Sequence, residues 1–181
     1  MRGFVSLYLG IDSVTRESLI KEHTKPLAKK LFGNQAERLI LVLDGTYIYN
    51  NKSNNFQFQR RSFSLHKGSP LVKPMVVVTT TGHFLITVGP YMSDGKNNDA
   101  AILNHMLKTN IDDIRGLLEE GDVFVVDRVF RDALPLLMDL GINDEMPAIL
   151  QKGETQLTTG EANASPLVTK VSITLTAYYN A

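Results

Sequence analysis

An α/β fold, one mixed sheet flanked by helices, is what this sequence predicts, and three observations carry the prediction. Leu39 to Leu43 and Val123 to Val126 are short, unbroken apolar runs of strand length, the pattern of strands covered on both faces. Val72 to Thr80 and Phe84 to Val88 flank Thr81-Gly82, which reads as an antiparallel hairpin. Around and between these runs, apolar residues recur at helical spacing.

Taken in order, Ser13 to Phe32 reads as a helix with Leu19, His23, Leu27 and Leu31 on one stripe, kinked or divided at Pro26 and stopped by Gly33. Leu39 to Leu43 should be a central strand, ending on Asp44-Gly45. Phe56 to Gln59 and Ser62 to Leu65 alternate apolar with polar and are expected as further antiparallel strands ahead of the hairpin. Asn97-Asn98-Asp99 offers caps for a helix whose buried face is Ile102, Leu103, Met106 and Leu107. A second helix is expected from Ile111 to Glu120, with Asn110 and Asp113 as a capping pair and Gly121 as its stop. Val123 to Val126 is then another buried strand closing on Asp127, and Asp132 to Leu140 a helix with Pro135 in its first turn. Gln151 to Ala164 is polar, while Ser172 to Thr176 alternates and reads as strand or disorder rather than helix.

At 181 residues the chain suits one folded domain, and 43% hydrophobic with 21% charged residues is a globular composition. The absence of cysteine excludes a disulfide framework, a thiolate zinc site and a cysteine nucleophile. No apolar run approaches a membrane span and Met1 to Gly10 has no signal-peptide pattern, so a soluble intracellular protein without a membrane partner is expected. Net charge is zero, yet unevenly spread. Gly45 to Ser93 holds no acid and five bases, Lys52, Arg60, Arg61, Lys67 and Lys73, whereas Asp94 to Glu154 holds thirteen acids against six Lys/Arg. The basic stretch suits a phosphate backbone, and equally a solvated hairpin. His66, in SLHKG, is placed to touch phosphate with it, yet surface or packing roles are expected for all four histidines, His23, His66, His83 and His105. No GxSxG, HExxH, P-loop or GxGxxG occurs.

The chemistry concentrates where the two apolar runs end directly in aspartate, Asp44 and Asp127. Ligands collect beyond the carboxyl ends of parallel strands, which lie about 4.8 Å apart. Paired in parallel, the two carboxylates would repel unless a hard cation sat between them, as in two-metal phosphoryl transfer. The same pattern also fits aspartates that cap loops after buried strands, and spacing does not choose between the two.

ERLILVLDGTYIYNNKSNNFQFQRRSFSLHKGSPLVKPMVVVTTTGHF, VGPYMSDGKNNDAAILNHML and GDVFVVDRVFRDALPLLMDLGI resemble the core of eukaryotic DDE superfamily endonucleases of the Harbinger/IS5 transposase type. DGTYIY resembles the family's first-aspartate motif and DRVFRD its second. The resemblance implies an RNase H-like fold, an antiparallel meander plus parallel strands flanked by helices, over residues 37–171. An N-terminal helical segment (1–36) would precede it and a divergent tail (172–181) follow. It implies Asp44 and Asp127 as catalytic ligands of Mg²⁺ or Mn²⁺, with Asp99 as a possible accessory whose alternative role is helix capping. Lys52, Arg60, Arg61, His66 and Lys67 are the candidate phosphate contacts. It also implies a nucleus-resident protein acting on DNA, weakly or non-specifically when alone, with a Myb-like DNA-binding partner.

The chain departs from that pattern at its end. EANASPLVTKV resembles the lead-in to the family's third acid, a glutamate, but Thr176 aligns where the glutamate belongs, and the helix that would carry it is missing. A neutral hydroxyl is a poor carboxylate substitute. Pro166, Ser172 and Ser69 stand where the family tends to have arginine, and Val129 replaces a glycine, which is expected to distort the loop beside Asp127. Cleavage of DNA phosphodiesters is therefore expected to be impaired, and whether the chain is an enzyme stays open. The alternative is a non-catalytic module that binds DNA or protein on the same scaffold; a third reading is a truncated product that folds poorly.

Overall fold

Leu39 to Leu43 are each at most 1% exposed, and their alternation divides them between two apolar layers. The computed structural model describes residues 10–32, 37–147 and 166. Strand β1 (Ile40–Gly45) sends Leu41 and Leu43, with Leu39 before them, into one layer, and Ile40 and Val42 into the other. It is central, as expected: β4 (Ser69–Thr79) pairs with it antiparallel and β6 (Val123–Val125) parallel.

On the far side of β4 runs β5 (Phe84–Met92), antiparallel, joined through a turn in which Gly82 takes φ 93°. Two short strands also pair antiparallel with β4: β2 (Ile48–Tyr49) against Val72 and Leu71, and β3 (Phe63–Ser64) against Pro70 and Ser69. Beyond β6 lies β7 (Asn143–Glu145), parallel to it. The molecule is thus α/β with a mixed sheet flanked by helices.

Helix α4 (Asp99–Thr109) covers one face through Ile102, Leu103, Met106 and Leu107, the face read from the sequence. Asn98 caps it, its Oδ1 accepting from Ala101 N at 2.7 Å. Helix α1 (Arg16–Glu22) adds Leu19 and Ile20 to that layer, and α2 (Pro26–Phe32) places Ala28 and Phe32 on the opposite one. Pro26 therefore divides the expected helix, and α2 takes its own rotation. The proposed stripe does not persist: Leu27 is 45% exposed, while Ala28 is fully buried.

Three expectations need correcting. Phe56 to Gln59 is not a strand; Phe56–Ser62 is helix α3, capped by Asn55, whose Oδ1 accepts from Phe58 N at 3.0 Å. The Phe-Gln-Phe-Gln alternation carried no buried face, and the cap prevails over it. The Ile111 to Glu120 helix shrinks to a 3₁₀ turn (Ile111–Asp113) and α5 (Ile114–Leu117), because Leu118 is extended and the Glu119 N–H donates to Asp122. Strand β7 was not foreseen. Its Asn-Asp-Glu sequence has no strand signature, and it forms as an acidic edge because Ile142 anchors it and β6 supplies the ladder. Leu134–Asp139 is α6, entered through a 3₁₀ turn (Arg128–Ala133). Val129 lies in that turn, more than half exposed and without positive φ, so the valine causes no distortion there.

Candidate functional site at the ends of β1 and β6

The parallel ladder ends on the pair Val42 with Val125, and Asp44 and Asp127 each follow two residues later. The ladder therefore delivers both aspartates to the same end of the sheet, on adjacent strands and in the same phase of the pleat. Their surroundings differ. Asp127 is exposed and caps the 3₁₀ turn, Oδ1 accepting from Arg128 N at 2.5 Å. Asp44 is half-buried, with Val76 of β4 opposite it. Burial pushes the Asp44 carboxyl up to about 6; the negative charges of Asp99 and then Asp127 add to the rise, and a hydrogen bond from Gly45 N–H opposes it.

Asp99 reaches this cluster from α4 because residue 45 is glycine. A Cβ at Gly45 would stand 2.8 Å from Asp99 Oδ1. Asn98 is the cap, so the carboxylate of Asp99 is not spent on its own helix. Instead, Asp99 Oδ1 lies 2.6 Å from Lys73 Nζ, and both side chains are 13% exposed. This is an ion pair without hydrogen-bond alignment, since Asp99 Oδ1 is buried and has no hydrogen-bond partner. Lys73 Nζ donates to Asn97 O at 3.1 Å.

Sequence reasoning missed two members of the cluster. Lys73 left a signal, a charge inside the apolar run of β4. Tyr47 left none beyond its place in DGTYIY; its phenol is raised by burial and by the charges of Asp99 and Asp44, which puts it within electrostatic reach of both. Lys67 Nζ stands over the Tyr47 ring, 5.1 Å from its centroid. Glu145, one strand further along in β7, is not part of the group: its carboxyl is raised by burial and by Asp144, with neither Asp44 nor Asp127 contributing.

Of the candidate phosphate contacts, Lys52, Arg60, Arg61, His66 and Lys67 are all exposed. Arg61 Nε pairs with Asp94 Oδ2 at 3.0 Å. Thr176 lies outside the described residues. Among the described residues no three His, Asp or Glu side chains converge closely enough to hold a metal ion. Asp44 and Asp127 still suit a hard cation of the Mg²⁺ type, which takes one or two protein carboxylates and completes its shell with water and phosphate oxygens. The raised Asp44 carboxyl marks a spot where added positive charge would be favourable. Asp99 is already neutralised by Lys73 and fits a positioning role better than a ligand's.

A hollow of about 910 Å³ beside α6 and β7, lined by Phe32, Val123, Leu134 and Ile142, includes none of these aspartates. Comparison of the chain with protein-family models, with curated proteins and with solved structures returns no match.

Proposed function

We propose that the chain is a transposase-derived, DDE endonuclease-like domain on an RNase H-like scaffold, which binds one divalent cation and has little or no capacity to cut DNA. One observation carries the reading. The end of central β1 and the end of its parallel neighbour β6 each present an aspartate, and the Asp44 carboxyl is raised to about 6 with Asp127 among the causes. The strand pattern agrees with it: an antiparallel β5–β4–β1 portion continues into parallel β6 and β7.

Mg²⁺ or Mn²⁺ bound here would supply a Lewis acid for a phosphodiester oxygen and lower the pKa of a coordinated water. The chain's own residues do the rest. Asp44 provides negative charge from within the β1–β4 ladder, and Asp127 provides it from the cap of the 3₁₀ turn just beyond β6. Lys73 pairs with Asp99 and offsets part of the charge that the helix beginning beside Gly45 sets against Asp44. Tyr47 feels the charges of Asp99 and Asp44, and exposed Lys67 lies over its ring. Thr176 stands at the third-acid position of the family pattern, and its neutral hydroxyl would be a poor ligand for a second metal. Two-metal cleavage would then lack one of its carboxylates. DNA is the proposed partner, with a Myb-like protein supplying sequence recognition and the nucleus as the location.

The test is Mn²⁺-dependent nicking of supercoiled DNA by the native chain, Thr176→Glu and Asp44→Asn. The expected result is negligible nicking by the native chain and none by Asp44→Asn. Robust nicking by the native chain that disappears in Asp44→Asn would refute impaired catalysis; nicking that survives in Asp44→Asn would refute the site itself.

A binding role without metal is the second reading, and the Lys73–Asp99 pair favours it. A lysine ammonium occupies part of the electrostatic position a cation would take. DNA affinity that is equal in Asp44→Asn and in the native chain, with or without Mn²⁺, would select it.

A further inference from the structure

Helix α3, β3 and the turn after β3 expose apolar side chains that the carboxylate cluster does not use. Phe56 is 76% exposed, Phe63 37% and Leu65 91%, an unusual concentration over ten residues. These three side chains line one hollow of about 760 Å³ together with Arg60 and His66. A second hollow of about 490 Å³ adjoins it, sharing Arg60 and adding Arg61 and Lys96. An aromatic concavity and a cationic one thus meet along Arg60, Asp94 and Gly95. The acid on their rim, Asp94, is already occupied by Arg61 at 3.0 Å and by Asn97 Nδ2 at 2.7 Å, so the surface presents net positive charge.

We propose that this double hollow seats an unpaired DNA strand, bases stacking on Phe56 and Phe63 while Arg60, Arg61 and Lys96 hold the phosphates. Aromatic faces interleaved with cations are what single-strand binding requires, because every base has a π-face and the backbone is uniformly anionic. The acid-free composition of Gly45 to Ser93 supplies the charge complementarity. A folded apolar partner would leave Arg60 and Lys96 desolvated without an anion and would bury the Arg61–Asp94 pair. Position supports the same occupant. Strand β4 runs from Met75, opposite Gly45, to Ser69, opposite Ser64 of β3. Those seven residues, six steps, span roughly 20 Å at strand rise. Exposed Lys67 and Tyr47 lie along the way, so a strand seated on α3 leads within a few nucleotides to Asp44.

The inference rests on DNA being the substrate, but its test does not require cleavage. The full chain is titrated in EDTA against a fluorescein-labelled thymidine oligonucleotide and against a duplex of equal length, with anisotropy as the readout. The single strand is expected to bind at least about fivefold more tightly than the duplex. Phe56→Ala/Phe63→Ala is expected to lose about tenfold or more in single-strand affinity with its thermal transition retained, since both side chains are exposed. Arg60→Ala is expected to reduce the slope of log affinity against log salt by about one. Equal affinity for strand and duplex, or a double variant that binds as the native chain does, overturns the proposal. So does displacement of the oligonucleotide by a glutamate- and phenylalanine-rich peptide, which assigns the hollow to an acidic protein segment. Because metal is absent, a chain that never nicks DNA can still pass this test. A chain that nicks well can still fail it.

Discussion

Strand β6 is bounded by an aspartate at each end, and the two could hardly be treated more differently. Asp122, at its start, is 1% exposed and saturated. Its oxygens accept from Arg16 Nη1 and Nη2 at 2.6 and 2.7 Å, from Leu39 N at 3.0 Å and from Glu119 N at 2.9 Å. Asp127, at the other end, holds one local N–H and faces a strand end where Asp44 is raised to about 6 by burial and by its acidic neighbours. One end uses a buried carboxylate to tie α1, β1 and the approach to β6 together. The other sets Asp44 beside Asp99 and Asp127, and among the described residues no cation forms an ion pair with Asp44 itself. A fold tolerates the second arrangement only at a cost, and such a cost at a strand end is where a ligand is expected.

The largest effect should come from breaking the saturated end. Arg16→Ala leaves Asp122 buried and without its cation, which costs about 3–5 kcal/mol; a large fall in the urea midpoint checks this. Loss of less than about 1 kcal/mol would mean that the two backbone N–H groups alone satisfy Asp122.

The contrast predicts the opposite sign for Asp44. Its folded pKa lies above the unfolded value, so the folded state binds the proton more tightly. Its contribution to stability is fully present below about pH 4 and is lost as pH rises through about 6. Asp44→Asn, neutral at every pH, should therefore be more stable than the native chain at pH 8, by up to about 3 kcal/mol. That advantage should vanish by about pH 4, as thermal unfolding across the range would reveal. An Asn variant that is less stable at pH 8 would show that the native carboxylate is compensated after all.

Two smaller effects sharpen the comparison from within the cluster. Lys73→Ala removes the ammonium beside Asp99 and should tighten Mn²⁺ binding on the order of tenfold while lowering metal-free stability, because Asp99 then adds uncompensated charge. Calorimetric titration separates the two consequences; weaker Mn²⁺ binding would instead make Lys73 a positioning group the site depends on. Gly45→Ala should cost roughly 1–3 kcal/mol through the 2.8 Å approach of its Cβ to Asp99, read as a lower melting temperature.

Much of this site was legible in the sequence, for a physical reason. An apolar run too short for a helix, ending in a lone acid, constrains strand, burial and side-chain position together. Asp44 and Asp127 were found that way, and so was the buried face of α4. Asp99 was placed at the right helix start, but its role as cap went to Asn98, because two adjacent residues could each perform it and only backbone geometry decides. Lys73 was counted only among the bases of the acid-free stretch, since charge counting cannot see that residue 73 faces Asp99. Helix α3 and strand β7 were lost to opposite errors: Phe56 to Gln59 alternates without a buried face, whereas Asn143 to Glu145 has a ladder partner and no apolar pattern. Tyr47 enters through its neighbours' charges, which no linear pattern records.

The most direct test of the central claim is Mn²⁺ binding itself, measured by electron paramagnetic resonance on the native chain, Asp44→Asn, Asp127→Asn and Asp122→Asn. The account predicts one bound ion per native chain, strongly weakened binding in both the Asp44 and Asp127 variants, and unchanged binding in whatever fraction of Asp122→Asn remains folded. Binding that survives in both Asp44→Asn and Asp127→Asn, or is absent from the native chain, would contradict it.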